Sequence, residues 1–220
     1  MHVVVNAAMS ADGKLSTYRR EQVAISGDDD FDRVDALRAD VDAVMVGVGT
    51  VLADDPSLTL DDPERVAARE ECGEAPHPAR VVADSHARTP PNASILDDTA
   101  ETFVFVAAEE PQSHVETLAD AGATVLVAGE NRVALDDALS QLESRGVDRL
   151  MVEGGGELIF SLFADGLVDE LSVYVGPTVI GGRDAPTLAD GDGFVEEFPD
   201  LDLRDVERID DGVLLRYDCS

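Results

Sequence analysis

The chain has 220 residues, 44% of them hydrophobic, so it is long enough and apolar enough to form a packed core. Asp and Glu number 47 against 16 Lys and Arg, a formal net charge of −31, and this balance argues against nucleic acid as a partner. The amino-terminal stretch MHVVVNAAMS has no basic leader, and no apolar run reaches the length of a membrane span, so we expect a cytoplasmic protein.

The excess of carboxylates has three possible interpretations: a cytoplasm of high salt, an acidic surface for a basic partner, or disorder. Disorder conflicts with strong apolar periodicity, and a single interaction patch conflicts with the spread of acids along the whole chain. We therefore favour salt adaptation, in which screening removes the repulsion between carboxylates.

Apolar strand-like runs alternate with helical periodicity along most of the chain. Within DDDFDRVDALRAD, apolar residues recur at spacings of three and four, which predicts an amphipathic helix with Ser26 or Asp28 as its N-cap. The run DAVMVGVG is rich in valine and too short for a helix, which indicates a buried strand. Predicted strands are 3–7, 42–49, 79–85, 102–108, 123–128, 148–154 and 168–180, and predicted helices are 28–40, 112–121, 135–145 and 157–163.

The carboxyl-terminal run LRDVERIDDGVLLRYD contains two alternating strands around Asp211-Gly212, which predicts a β-hairpin. Because strands and helices alternate before it, we predict a single α/β domain over residues 1–220. Its sheet is mostly parallel, with helices on both faces and an antiparallel carboxyl-terminal edge.

Three adjacent glycines, Gly154, Gly155 and Gly156, lie between a predicted strand and a predicted helix in LMVEGGGELIF. The stretch is neither a P-loop nor a G-x-G-x-x-G fingerprint. Bare backbone at a helix N-terminus can curl around an anion, and a pyrophosphate could be held there without Lys or Arg. A plain tight turn is the alternative, although one or two glycines would suffice for it.

Two further segments carry candidate polar groups. Asp54 and Asp55 follow a strand in GTVLADDP, where Thr50 could cap a short helix and Pro56 would end it. Hydrogen bonding to a ligand is favoured there over metal binding, because no His or Cys is close. Lys14, after the Asp12-Gly13 turn, is the only lysine of the chain, and lysine can release a proton where arginine cannot.

Four blocks of sequence together resemble the riboflavin-biosynthesis reductase family, the standalone archaeal and fungal-type enzymes related to the reductase half of bacterial bifunctional deaminase-reductases. The blocks are NAAMSADGKLS, LRADVDAVMVGVGTVLADDPSLT, RVVADS and VEGGGELIFSLFADGLVDELSVYVGPTVIGG. The resemblance implies a dihydrofolate-reductase-like fold and a homodimer. It also implies NADPH-dependent reduction of 2,5-diamino-6-ribosylamino-4(3H)-pyrimidinone 5′-phosphate to its ribitylamino form, with NADH possible.

The resemblance also implies roles for individual residues. Lys14 and Glu153 match the family's ribose-contacting pair and are the candidate catalytic residues, with Lys14 the better candidate acid for opening the ribose ring. Arg38 and Leu58 match positions near the substrate. The positions that match cofactor contacts are Thr50, Asp54, Asp84, Ser85, Gly154, Gly155 and Gly156.

The sequence departs from its bacterial relatives in two ways. Asp61 stands where a basic residue follows the SLT motif, so the substrate phosphate must find other partners. Preference for NADPH would need groups that bind its 2′-phosphate, such as Ser85, His86 and Arg88.

His114-x-Glu116 resembles half of a deaminase zinc signature, but no P-C-x-x-C follows, so we predict neither a deaminase nor a metal site.

Two other functions remain open. The same fold could reduce another heterocycle, such as a dihydrofolate-type pteridine, although the Lys14 and Glu153 pair favours a ribose substrate. A binding module that senses NADPH without catalysis is the third hypothesis, and it gives no role to Lys14.

Overall fold

The computed structural model describes residues 1–220 and contains nine strands, six α-helices and one short 3₁₀ helix. The strands are β1 (His2–Ser10), β2 (Ala43–Gly47), β3 (Ala79–Ala83), β4 (Thr102–Val106), β5 (Thr124–Val127), β6 (Arg149–Gly154), β7 (Glu170–Gly176), β8 (Leu201–Ile209) and β9 (Gly212–Cys219). The α-helices are α1 (Asp28–Ala39), α2 (Val48–Asp54), α3 (Pro63–Glu71), α4 (Gln112–Asp120), α5 (Leu135–Glu143) and α6 (Gly156–Ala164). The 3₁₀ helix covers Ser94–Leu96.

The strands form one sheet in the order β5-β4-β3-β2-β6-β1-β7-β9-β8. The pairs β2–β3, β3–β4, β4–β5 and β1–β7 are parallel, whereas β9 is antiparallel to both β7 and β8. The predicted mixed α/β fold, with a mostly parallel sheet and an antiparallel carboxyl-terminal hairpin, is confirmed. None of the helices combines the length and apolar character needed to cross a membrane.

Contacts divide the chain into two compact units. The first comprises Met1 and Asp35–Met151, and the second comprises His2–Val34 and Val152–Ser220. The organisation of residues 1–220 as a single domain stays a prediction.

In the first unit, the core lies on the short parallel strands β2, β3 and β4. Val44, Met45, Val81 and Phe105 are fully buried, as expected for parallel strands that are covered on both faces.

Arg80 is the exception among the buried residues of these strands, because it carries a charge at 0% exposure. Its guanidinium donates to the carboxylate of Asp97 at 2.7 Å, to the hydroxyl of Thr102 at 2.9 Å, and to the carbonyls of Asp97 and Ala100, both at 2.6 Å. These acceptors satisfy the buried cation and join β3 to the loop before β4.

In the second unit, Tyr174 of β7 packs with Leu214 of β9 and with Ile25. Gly212 at the hairpin lies against the Tyr174 ring, since a Cβ there would be 2.3 Å from the phenol oxygen. Gly212 is therefore required by packing, while the turn itself is formed by Asp210 and Asp211, one residue before the predicted Asp211-Gly212 pair.

The amino terminus of α1 differs from the prediction of a local cap at Ser26 or Asp28. The backbone N–H groups of Asp29 and Asp30 donate to the carboxylate of Asp210, at 3.4 and 3.1 Å. Asp210 follows β8 and is some 180 residues away in the chain. An acceptor so distant leaves no local sequence signal, and this is why the cap was assigned wrongly.

Several element boundaries also differ by a few residues. The first strand is longer than predicted, β7 ends at Gly176 before Pro177, and α2 begins at Val48 with Gly47 as its N-cap. Thr50 therefore lies inside α2 and does not cap it. The helix ends at Asp54, before Pro56, as predicted.

Candidate functional site

Hydrogen bonds of the Ser10 and Asp12 side chains fix the turn that carries Lys14. The hydroxyl of Ser10 accepts from the Lys14 N–H at 2.9 Å and donates to the Asp12 carboxylate at 2.6 Å. That carboxylate also accepts from the N–H groups of Ile180 and Gly181, at 3.0 and 2.8 Å. The hydrogen bond from Ser10, followed by that from Ile180, lowers the pKa of Asp12 to about 2. The turn is thus fixed by an ionised aspartate, even though Asp12 is exposed.

Lys14 itself contacts the segment Ala185–Asp190, which we call the 185–190 segment. Its ammonium Nζ donates to the carbonyl of Ala185 at 3.2 Å, and its backbone forms an isolated β-bridge with Thr187. The adjacent Leu15 N–H donates to the Pro186 carbonyl at 2.9 Å. These contacts fix the position of the Lys14 side chain. Because an ammonium has three N–H donors and one binds Ala185, two remain for a ligand.

The three glycines stand in three different environments. Gly154 ends β6 at a φ of +136°, a backbone conformation that side chains disfavour, and the Gly154–Gly155 peptide bond is cis. Gly155 is the N-cap of α6 in an extended conformation and gives that helix no side-chain cap. The first N–H groups of α6 therefore have no side-chain acceptor at the N-cap and could meet an anion.

Gly156 is required by packing within the chain. A Cβ there would lie 2.5 Å from the carbonyl oxygen of Thr187 and 2.7 Å from the carboxylate of Asp190. The Asp190 N–H donates to the Gly156 carbonyl at 3.0 Å, which holds the two segments together. Gly154 is thus explained by its backbone conformation and Gly156 by its packing. The run of glycines therefore does not by itself require a bound phosphate.

The 185–190 segment joins the two parts of the predicted site in this unit, because both Lys14 and Gly156 contact it. The Asp190 carboxylate fixes the segment by accepting from the Thr187 N–H at 3.2 Å and from its hydroxyl at 2.5 Å. Thr187 and Asp190 were missed in the sequence. Their Thr-x-x-Asp spacing is a local signal for such a turn, but it does not reveal which element the turn contacts.

Glu153 is the penultimate residue of β6 and is half-buried, directly before the glycines. β6 is next to β1 in the sheet order, and Lys14 lies in the turn after β1. The grouping of Lys14 with Glu153 and the glycine loop stays a prediction.

The other predicted cofactor residues lie in the first unit, beyond the carboxyl ends of β2 and β3. Thr50 and Asp54 are half-buried residues of α2. Asp55, the C-cap of α2, has a left-handed φ of 44°, and its carboxylate accepts from the N–H and hydroxyl of Ser94, at 2.7 and 2.9 Å. Asp55 therefore has a structural role that joins α2 to the 3₁₀ helix.

Asp84 follows β3 and is fully buried, at 0% exposure. Its Oδ2 accepts from the N–H and the hydroxyl of Thr89, both at 2.7 Å, which closes the loop after β3. Its Oδ1 accepts no hydrogen bond, and its nearest cation is Arg88, whose Nε is 3.9 Å away. A buried carboxylate oxygen without a donor is costly, and a ligand hydroxyl or amide would satisfy it.

Ser85 is half-buried beside Asp84, and its hydroxyl oxygen accepts from the Val133 N–H at 3.0 Å. The hydroxyl proton is still able to donate to a ligand. His86 and Arg88, the predicted partners of a 2′-phosphate, are both exposed, with the His86 ring nitrogen 3.7 Å from the Glu110 carboxylate.

Of the two remaining predicted substrate residues, Arg38 lies in the last turn of α1 and donates to the carbonyl of Thr59 at 3.1 Å. Leu58 is only 3% exposed and has a left-handed φ of 54°. Its side chain offers little surface to a ligand, so a contact at Leu58 would be made chiefly by its main chain.

Side chains of the types that bind metal do not cluster, since no group of three or more His, Cys, Asp or Glu residues is arranged to hold an ion. The polar groups described above are instead suited to a ligand with hydroxyl and phosphate groups.

Comparison with known proteins is consistent with this chemistry. The profile of the RibD C-terminal domain matches residues 1–215. A 2,5-diamino-6-ribosylamino-4(3H)-pyrimidinone 5′-phosphate reductase of Archaeoglobus fulgidus is 48% identical over 96% of this chain and 94% of its own length. The protein of the same name from Methanothermobacter thermautotrophicus is 42% identical over 98% of this chain and 97% of its own. Among solved structures, RibD of Acinetobacter baumannii has a TM-score of 0.78 at 28% identity and covers all of this chain with 58% of its own.

Proposed function

Because the chain belongs to the RibD C-terminal domain family, we propose that it is the reductase of 2,5-diamino-6-ribosylamino-4(3H)-pyrimidinone 5′-phosphate. The reaction converts the ribosylamino group to ribitylamino, with NADPH as the reductant. The observation that carries the proposal is the 48% identity over nearly the full length of both chains to an archaeal protein of that name.

Each unit has polar groups that suit one part of a dinucleotide. The uncapped start of α6 suits a pyrophosphate, and the unsatisfied Oδ1 of Asp84 suits a ribose hydroxyl. The residues that would hold the cofactor are Thr50, Asp54, Asp84, Ser85, Gly154, Gly155 and Gly156. When bound, NADPH supplies the hydride that is added to C1′ of the substrate.

Lys14 and Glu153 would act on the sugar. Opening of the ribosylamine ring breaks the bond from C1′ to the ring oxygen, forms a C1′–N double bond, and transfers a proton to that oxygen. Lys14 is the candidate donor of this proton, because its ammonium is held by the Ala185 carbonyl and keeps two further N–H groups. Glu153 would accept hydrogen bonds from the sugar hydroxyls and so fix C1′ in the orientation for attack.

The test is reduction of the ribosylaminopyrimidine phosphate by purified protein in molar KCl, followed by loss of NADPH absorbance and by a product heavier by two hydrogens. Lys14→Met should lower kcat/KM at least about a hundredfold, the lower end for general acid–base catalysis. Glu153→Gln should lower it by about a hundredfold, through loss of the orientation of C1′. Glu116→Gln, at an exposed position of α4, is the matched control. A folded protein that gives no turnover would exclude the function, and reduction of a dihydropterin in preference would favour the pteridine alternative.

Preference for NADPH over NADH is part of the proposal, and Arg88 is the cation that supports it. Its side chain is exposed and extends from the loop that Asp84 closes. In Arg88→Gln, the ratio of kcat/KM for NADPH to that for NADH should fall, with the NADH value unchanged. An unchanged ratio would place the 2′-phosphate elsewhere.

We also propose a cytoplasmic homodimer, and the face of the β8–β9 hairpin supports the dimer. Leu203 pairs with Tyr217 and Val206 with Leu215, so these four side chains share one face of the hairpin. Leu203 and Val206 are each 56% exposed, which leaves an apolar face uncovered on a chain of net charge −31. A second copy of the same face is the complementary partner.

A further inference from the structure

The segment Ser57–Asp62, between α2 and α3, has no regular secondary structure, yet side chains from elsewhere in its unit bind its main chain. Arg38 donates to the Thr59 carbonyl at 3.1 Å, and the Leu60 N–H donates to Nδ1 of His77 at 3.1 Å. The N–H groups of Asp61 and Asp62 donate to Oδ1 and Oδ2 of Asp35, at 2.7 and 3.2 Å. Four consecutive residues are thereby held by side chains and not by a helix or sheet.

Asp35 is buried, with 7% of its side chain exposed, and it also accepts from Arg65 at 2.8 Å. Burial by itself would raise the pKa of Asp35, but the hydrogen bonds from Asp61, Arg65 and Asp62 outweigh it and lower the pKa below the ordinary 3.8. The group that holds Asp61 and Asp62 is therefore a carboxylate, which accepts on both of its oxygens, whereas an amide has only one acceptor atom.

His77 acts on the same segment from a different direction. It stands between Pro76 and Pro78, which restrict the main chain around it, and its ring is half-buried. Nδ1 accepts from the Leu60 N–H, so this contact uses the tautomer that carries its proton on Nε2. The imidazole thus has a defined acceptor role that no other part of the proposed mechanism uses.

The segment Ser57–Asp62 includes Leu58, whose left-handed φ of 54° is unusual for a residue with a bulky side chain. Such a conformation persists only where surrounding contacts impose it, and it is common at ligand sites. Arg38 and Leu58 are both predicted substrate residues, and the hydrogen bond from Arg38 to Thr59 links the guanidinium to the same main chain.

We infer that Asp35 and His77 are positioning residues for the pyrimidine nucleotide: they fix the main chain at Leu58–Asp62 and, through Thr59, the guanidinium of Arg38. Neither is assigned a contact with the reacting atoms. The inference rests on the proposed function, because the substrate is the one that this function names. Its consequence is that losing either acceptor should weaken binding of the pyrimidine substrate while leaving NADPH binding intact.

The test at His77 compares two uncharged replacements. His77→Asn keeps an acceptor oxygen close to the position of Nδ1, whereas His77→Leu has none and leaves the Leu60 N–H unsatisfied. We expect KM for the pyrimidine substrate to rise about tenfold in His77→Leu, from the loss of one hydrogen bond to a buried amide, and to return to within about threefold in His77→Asn. KM for NADPH should stay within about twofold in both variants.

At Asp35, the matched pair is Asp35→Asn and Asp40→Asn. Asp40 is exposed just beyond the end of α1, so its variant removes the same charge without touching the segment. Asp35→Asn keeps one acceptor oxygen but turns its N–H₂ toward at least one of the donors that Asp35 binds, so it should raise KM for the pyrimidine by about tenfold or more, and Asp40→Asn should not. A common rise in both Michaelis constants, or equal behaviour of the Asn and Leu variants at His77, would overturn the inference.

Hydrogen exchange gives a readout that does not depend on activity. The Leu60 amide should exchange at least about tenfold faster in His77→Leu but not in His77→Asn, and the Asp61 amide faster in Asp35→Asn. Wild-type protein that reduces no ribosylaminopyrimidine would exclude the proposed function, while exchange would still test the contacts. An active wild-type enzyme whose variants show faster exchange but an unchanged KM would refute the positioning role alone.

Discussion

Replacing Gly156 by alanine tests the contact between the glycine loop and the 185–190 segment. The new Cβ would lie 2.5 Å from the Thr187 carbonyl oxygen, and that oxygen cannot move freely because the neighbouring Pro186 carbonyl accepts from Leu15. Such overpacking typically destabilises by about 1–3 kcal/mol, and the better helix propensity of alanine returns at most about 1 kcal/mol. We expect a net loss of about 1–2 kcal/mol, which lowers Tm by roughly 2–8 °C in a chain of this size.

Gly49→Ala is the matched control, because Gly49 lies in α2 and a Cβ there would meet nothing within 4 Å. It should gain up to about 1 kcal/mol from helix propensity, so the two variants should shift Tm in opposite directions. Thermal unfolding followed by circular dichroism in molar KCl measures both. If Gly156→Ala is as stable as Gly49→Ala, the packing explanation for Gly156 is wrong. The absence of a side chain there would then be explained by space for a ligand.

Three other predictions concern charge and assembly. With a net charge of −31, the chain should lose stability as KCl is lowered from molar to about 0.1 M, because the screening length grows from about 3 to 10 Å and the carboxylates repel one another more strongly. A circular dichroism spectrum that is unchanged at low salt would contradict salt adaptation. The hydrogen bond from Arg80 is the main cause that lowers the pKa of Asp97 below 3.8, so the stability from this pair should be present above about pH 4 and lost as pH falls further. Asp97→Asn should therefore be about 1.5 kcal/mol less stable in urea at neutral pH, with the difference disappearing in acid; a difference independent of pH would exclude the ion pair as its cause. Leu203→Lys with Val206→Lys should convert a dimer to a monomer by light scattering, whereas a dimer that persists would place the interface elsewhere.

Much of the fold and part of the site could be predicted from the sequence because their signals are local. The alternation of apolar runs with helical periodicity predicted the strands and most of the helices in their order, although not α3, and Asp211-Gly212 predicted the final hairpin. The strand before Gly154 and the helix after Gly156 followed from the same patterns. Lys14 was singled out by composition, as one lysine among fifteen arginines. Each of these inferences needed only neighbours within a few residues.

Contacts between distant parts of the chain were decided only by the tertiary structure. The cap of α1 by Asp210, the burial of Arg80, and the packing of Gly156 against Thr187 depend on residues that the fold brings together from far along the chain. The hydrogen bonds from segment 57–62 to Asp35 and His77 likewise join residues that are distant in the sequence. An acidic residue in a sequence so rich in acids has the same local pattern whether its side chain is solvated or accepts from a buried backbone N–H. Only the fold determines which of these two environments a given carboxylate occupies.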